Sequence, residues 1–173
     1  RVGMILRVRS FSLGGADVVR LTPQYGNLGL PGGGVGAGTP LGRKAVTDPM
    51  AYYLKREMEA SNLVKWIVMS PPPRSEPDCA LHFDIFTFGT RWRQTSPATE
   101  EREAQVVLNV SMQIQVDLYD YRVKNVVYSR FEEFRYDFPM SMDDETRPGL
   151  QFDKYYERVA RDVSKSLAAF LAE

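Results

Sequence analysis

Between Ala104 and Leu118, apolar side chains occupy every second position: Ala104, Val106, Leu108, Val110, Met112, Ile114, Val116 and Leu118. Gln105, Asn109, Ser111, Gln113, Gln115 and Asp117 fill most of the places between, and only Val107 breaks the polar set. Successive strand side chains point to opposite faces, so a period of two predicts one long half-buried β-strand with a greasy face and a wet face. At about 3.3 Å per residue such a strand spans roughly 50 Å, which predicts a bend or bulge and pairing with more than one neighbour. The wet face constrains the architecture. Strands of an all-parallel sheet are apolar on both faces, so this one predicts an α+β two-layer sandwich, with a mostly antiparallel or mixed sheet and helices packed on one face.

The chain has 173 residues, the expectation for a single domain that buries roughly 70% of the surface its unfolded chain exposes. Twenty-two basic and 22 acidic residues cancel. No global field draws nucleic acid or an anionic membrane surface, and a nucleic-acid partner is not expected. Cys79 is the only cysteine and His82 the only histidine. This excludes an intrachain disulfide and a Cys/His zinc cluster, and the two residues fall on opposite faces of one strand, which argues against Cys-His catalysis. No apolar run reaches 18 residues, so nothing in the sequence reads as a membrane-spanning helix. The first residue, Arg1, fits a chain trimmed of a secretory or lipoprotein signal and fits an artificially chosen boundary equally well.

Met4, Leu6 and Val8 alternate with Ile5, Arg7 and Arg9, and Phe11 extends this first strand. Val18, Val19 and Leu21 suggest a short second one. A Gly-rich loop is expected over residues 23–47, with eight glycines between Gly26 and Gly42, Gly33 and Gly34 among them. Gly32, Gly34 and Ala37 satisfy G-x-G-x-x-A, but Leu30-Pro31 precedes them where a strand belongs and Thr39-Pro40 follows where a helix belongs. The phosphate-loop pattern fails too, because Gly42 is followed by Arg43. A flexible or partner-docking loop is the better expectation, and no cofactor or metal is expected.

Asp48-Pro49 predicts a helix start, Asp as cap and Pro at the first position, with Met50, Tyr53, Leu54 and Met58 facing the core and an end near Ser61-Asn62. Trp66 to Met69 reads as a short strand stopped by Pro71-Pro72-Pro73. In Cys79 to Phe88, Leu81, Phe83 and Ile85 share one face and His82 and Asp84 the other, which leaves Phe86 and Phe88 on the polar side. Two readings stand here. Either a bulge near Ile85-Phe86 returns the aromatics to the core, or Phe86, Phe88 and Trp92 form an apolar patch that contacts a partner or lipid. His82 beside Asp84 has the residue types of an acid/base pair, but same-face strand neighbours are commonly solvated or cross-strand partners.

Gln94 to Glu103 predicts a hairpin connection into the long strand, and Asp120 to Asn125 the next turn. A further strand runs from Val126 to Phe138-Pro139, with Glu132, Glu133 and Arg135 giving it the charges of an edge. Asp143, Asp144 and Glu145 lie in an acidic loop that lacks the ligand order of a calcium loop. Phe152, Tyr156, Val159, Val163, Leu167 and Phe170 then repeat at helical spacing. Their stripe is expected to cover the greasy face of the long strand, beside the first helix.

This order is a strand carrying Leu6-Arg7-Val8-Arg9, a long insert, a helix, a strand, Leu81-x-Phe83-x-Ile85-x-x-Phe88, a long alternating strand, an aromatic edge strand and a terminal helix. It resembles the ABC-transporter auxiliary lipoproteins of Gram-negative outer membranes, over nearly the whole chain. The lipopolysaccharide-assembly lipoproteins share a similar order. The resemblance implies a non-enzymatic, periplasm-facing docking component of lipid or lipopolysaccharide transport. Its partners would be envelope transport proteins, and an N-terminal lipid anchor outside this chain would hold it to the outer membrane. Phe86, Phe88, Trp92, Gly33 and Gly34 are the candidate contact residues. The alternatives are a cytoplasmic or periplasmic protein-interaction module, or an enzyme built on Asp84, Asp117, Asp120 and Tyr128, whose spacing recommends no chemistry.

Overall fold

The computed structural model describes residues 1–11, 40–69, 76–101, 105–140 and 148–172. In chain order these form β1 (Val2–Ser10), α1 (Pro40–Ala60), β2 (Val64–Val68), β3 (Cys79–Ser96), β4 (Gln105–Asp120), β5 (Asn125–Met140) and α2 (Pro148–Leu171). The five strands make one mixed sheet in the order β2-β1-β3-β4-β5. β1 runs parallel to β2 and to β3, while β3, β4 and β5 form an antiparallel meander. The expected α+β sandwich is therefore observed.

The alternating stretch is β4, next to the sheet's edge strand and paired along its length on both sides. Its inward residues from Val106 to Leu118 are all buried, and the intervening ones are half-buried. Each large apolar side chain removed from water in this way contributes about 1.5–3 kcal/mol. The opposing layer is helical. Val46, Met50, Leu54 and Met58 of α1 recur at four-residue steps and are fully buried, and α2 adds Tyr155, Val159, Ala160 and Leu167. The helices lie side by side, tied by Arg56 to Glu157 at 3.3 Å and by the Ser164 hydroxyl donating to the Glu57 carbonyl at 3.4 Å.

The first helix starts earlier than Asp48-Pro49 suggests. It begins at Pro40, so the stretch 40–47 belongs to a helix rather than to the Gly-rich loop, and Pro49 lies inside it. Proline within a helix removes one backbone hydrogen bond, but stopping there would forfeit Val46, which continues the buried row of Met50, Leu54 and Met58. Packing outweighs the local signal. At the other end the helix stops where expected. Asn62 takes a left-handed φ of 63°, and the Ser61 hydroxyl donates to the Met58 carbonyl at 2.7 Å, which satisfies an orphan carbonyl. The remainder of the Gly-rich stretch, the Val18–Leu21 strand and the Asp143–Glu145 loop lie outside the described residues.

Candidate functional site

Both described helices pack on one face of the sheet, and the other face carries the alternate positions of the strands, most of them polar. Strand register sets its rows. Arg9 of β1 pairs with Asp84 of β3, which pairs with Gln115 of β4, which pairs with Phe131 of β5. The next row is Arg7, His82, Asp117 and Ser129. Polar contacts run along this surface. The Arg9 guanidinium grips the buried Asp84 carboxylate with two hydrogen bonds of 2.9 and 3.1 Å. Gln115 donates to Asp117 at 3.0 Å and to Ser129 at 2.8 Å, and Ser129 in turn donates to Asp117 at 2.6 Å.

Three aromatic rings interrupt the polar grid. Phe86 stacks on Phe11 with centroids 5.6 Å apart and planes at 17°, and meets Phe131 across β4 at 6.2 Å. Arg9 lies over the Phe11 ring at 5.2 Å, a cation–π contact that fixes the ring's edge of the stripe. Phe11 is 39% exposed and Phe131 59%. Large rings in a row at such exposure, on the face that neither described helix covers, are the features of a contact surface.

The ring at position 86 reaches this face through a bulge. The β3–β4 register shifts between Ile85 and Thr87, so Phe86 is the extra residue and the strand's phase reverses after it. Ile85 and Phe88 both point to the core as a result. The bulge expected at Ile85-Phe86 is present, and it divides the proposed aromatic cluster. Phe88 is a core residue, packed on Phe152, Tyr155 and Tyr156 at 5.9–6.1 Å, and is not a contact residue. Phe86 stays outside. The Trp92 backbone pairs with Leu108, while its side chain, together with Gly33 and Gly34, lies outside the described residues. Phe11 and Phe131 are the members that sequence reading missed. Their signal was phase: Phe131 is an aromatic at an outward position of a strand whose other rings, Phe134, Tyr136 and Phe138, share the inward phase.

The acid/base pairing of His82 with Asp84 does not form, because Asp84 spends both oxygens on Arg9. Burial first, and then the Arg9 charge, lower the pKa of His82 below its ordinary value. The other carboxylates considered for catalysis have separate partners. Asp120 is clamped by Arg122 at 2.8 and 3.1 Å, a contact that depresses its pKa, and the Tyr128 ring packs on Phe170 at 5.1 Å. Asp120 lines a cleft at the end of the sheet, while Asp84 and Asp117 lie in the outer-face rows.

No family model matches the sequence, and a comparison with curated proteins finds no match. Among solved structures, protein XCC0632 from Xanthomonas campestris, of the family DUF330, aligns at a TM-score of 0.55 and 15% identity, over 94% of this chain and 81% of that one. Two further neighbours are named as lipoproteins. The minor lipoprotein from Acinetobacter baumannii aligns at 0.45 and 13% identity over 72% and 87% of the two chains, and rare lipoprotein B from Shewanella oneidensis at 0.43 and 12% over 96% of each. At 15% identity the likeness to the Xanthomonas protein is one of fold.

Proposed function

We propose that this chain is the folded domain of a lipid-anchored protein at the periplasmic side of a Gram-negative outer membrane. It acts there as a non-enzymatic docking component of a lipid or lipopolysaccharide transport system. The observation that carries the docking role is the stripe of Phe11, Phe86 and Phe131 on the sheet face that neither described helix covers. The envelope setting is supported by the element order, which resembles the auxiliary lipoproteins.

The chemistry suits a protein partner. Exposed rings ringed by the Arg9–Asp84 pair and the Gln115–Asp117–Ser129 network give an apolar centre with a polar margin, the anatomy of a protein interface. As the resemblance implies, anchoring would come from acyl chains on an N-terminal residue outside this chain.

The test is to express the complete gene in its own host, measure the intact mass of the mature protein, fractionate the membranes, and place a photocrosslinking residue at position 131. Acylation, outer-membrane recovery and crosslinks to envelope transport proteins are expected. An unmodified soluble chain overturns the lipoprotein assignment, and if position 131 then still crosslinks to a protein, an interaction module outside transport takes its place.

A further inference from the structure

A second feature lies away from the aromatic stripe, at the end of the sheet where β1 and β3 begin and β4 runs out. There a cleft of about 230 Å³ opens between the strands and the last turn of α2. Its walls are apolar: Leu118, Val127, Phe170 and Leu171, with the buried Cys79 in the lining. Its polar groups are Asp78, Asp120 and Arg122. A mostly apolar cavity with a few convergent polar groups is the usual form of a small-ligand site.

We infer that this cleft binds a linear amphiphile, with one aliphatic chain held among Leu118, Val127, Phe170 and Leu171 and a cationic ammonium head at Asp78 and Asp120. Shape selects the chain. At about 230 Å³ the cleft is smaller than the roughly 300–1,000 Å³ usual for drug-sized ligands, so it suits one aliphatic chain rather than a bulky ring system. Charge selects the head. Two carboxylates face one guanidinium, so the polar side of the cleft carries a net negative charge. Arg122 is already committed to both oxygens of Asp120, whereas the Asp78 carboxylate accepts the Gly3 amide at 2.7 Å and no other hydrogen bond from the described residues. An ammonium group completes that set, and a sulfate or phosphate head meets Asp78 unfavourably. The lining agrees with this sign. Burial, and then the fields of Asp78 and Asp120, push the Cys79 thiol up to about 12, so it stays neutral and behaves as apolar wall.

The experiment titrates decylammonium, decyl maltoside and decyl sulfate, each below its micellar concentration, into the protein and follows the methyl resonances of Leu118, Val127 and Leu171 and the aromatic resonances of Phe11 and Phe131. Decylammonium is expected to shift these methyls and to bind at least tenfold tighter than decyl sulfate, with decyl maltoside between. Val127→Trp, at a position 38% exposed, fills the cleft and should abolish binding while the urea midpoint holds. Asp78→Asn should reduce decylammonium to the level of the maltoside. Equal or tighter binding of decyl sulfate overturns the inference. So do shifts confined to Phe11 and Phe131, or undiminished binding to a folded Val127→Trp. If that variant fails to fold, the decylammonium-to-maltoside ratio in Asp78→Asn decides alone.

Discussion

The indole of Trp66 lies against the backbone of Gly3, its register partner on the neighbouring strand, so closely that a Cβ at Gly3 would stand 2.4 Å from the ring. Only a residue without a side chain lets β2 seat its tryptophan over β1. Gly3→Ala forces the rigid ring off the strand, an overpacking that costs about 1–3 kcal/mol. Urea unfolding checks this, and Trp66→Leu in the Gly3→Ala background should recover most of the loss.

Arg9 and Asp84 give a second prediction. Asp84 is only 8% exposed, so Arg9→Ala strands a carboxylate with no partner, at about 1–3 kcal/mol. Arg9→Ala combined with Asp84→Asn should cost less than Arg9→Ala alone. A double-mutant cycle by chemical denaturation reads the coupling, and additive costs would show that the pair is not an energetic unit.

Phe131 tests the aromatic stripe without confounding the fold. At 59% exposure, Phe131→Ser should move stability by no more than about 0.5 kcal/mol. Copurification of the envelope partner should fall at least tenfold. Retained capture by the folded variant would remove the stripe from the docking role.

Tyr155 is fully buried, and its hydroxyl donates to the Phe134 carbonyl at 2.8 Å, which joins α2 to the edge strand. Tyr155→Phe leaves that carbonyl without its donor and should cost about 1–3 kcal/mol. Tyr155→Ala adds a cavity, and about 3–5 kcal/mol is expected. Thermal unfolding of the two variants ranks them.

Alkaline pH provides a further check. Burial raises the pKa values of Tyr136, Tyr155 and Tyr156 and pushes Cys79 up to about 12. In the unfolded chain these groups lose their protons near pH 8.5–9 for the thiol and near 10 for the phenols. The folded state therefore holds more protons than the unfolded state across that window, and stability falls as pH rises. The contribution is complete below about pH 8.5 and disappears as pH climbs through the folded values. Urea midpoints should be flat from pH 7 to 8, decline from about 9 and steepen above 10, with Cys79→Ala removing the earliest part of the decline.

Much of this architecture was legible because β4 and α2 carry unambiguous periods. Gln105 to Asp120 alternates almost without error, and Phe152 to Leu167 repeats at helical steps. What sequence reading missed came from competition between local and distant forces. Asp48-Pro49 is a genuine local start signal, overridden by the burial of Val46. Tyr155 was passed over because Tyr156 satisfied the same spacing, although the face is wide enough to bury both. The contact surface was half visible. The bulge that keeps Phe86 outside is readable from its phase, but the rings that join it come from residues 75 positions before and 45 after, and only the sheet order brings them together.

The strand order has a consequence in time. β1 is the first described element, yet it sits inside the sheet between β2 and β3, and its pairing with β3 joins residues 75 apart in sequence. Its parallel partners come much later in the chain, with Met4 meeting Ile67 of β2 on one side and Cys79 of β3 on the other. Closing so long a loop before any contact rewards it is slow, and places this domain among chains that fold in milliseconds to seconds rather than microseconds. The meander of β3, β4 and β5 pairs neighbours in sequence, so the first described strand is the one whose pairing spans the longest stretch of chain.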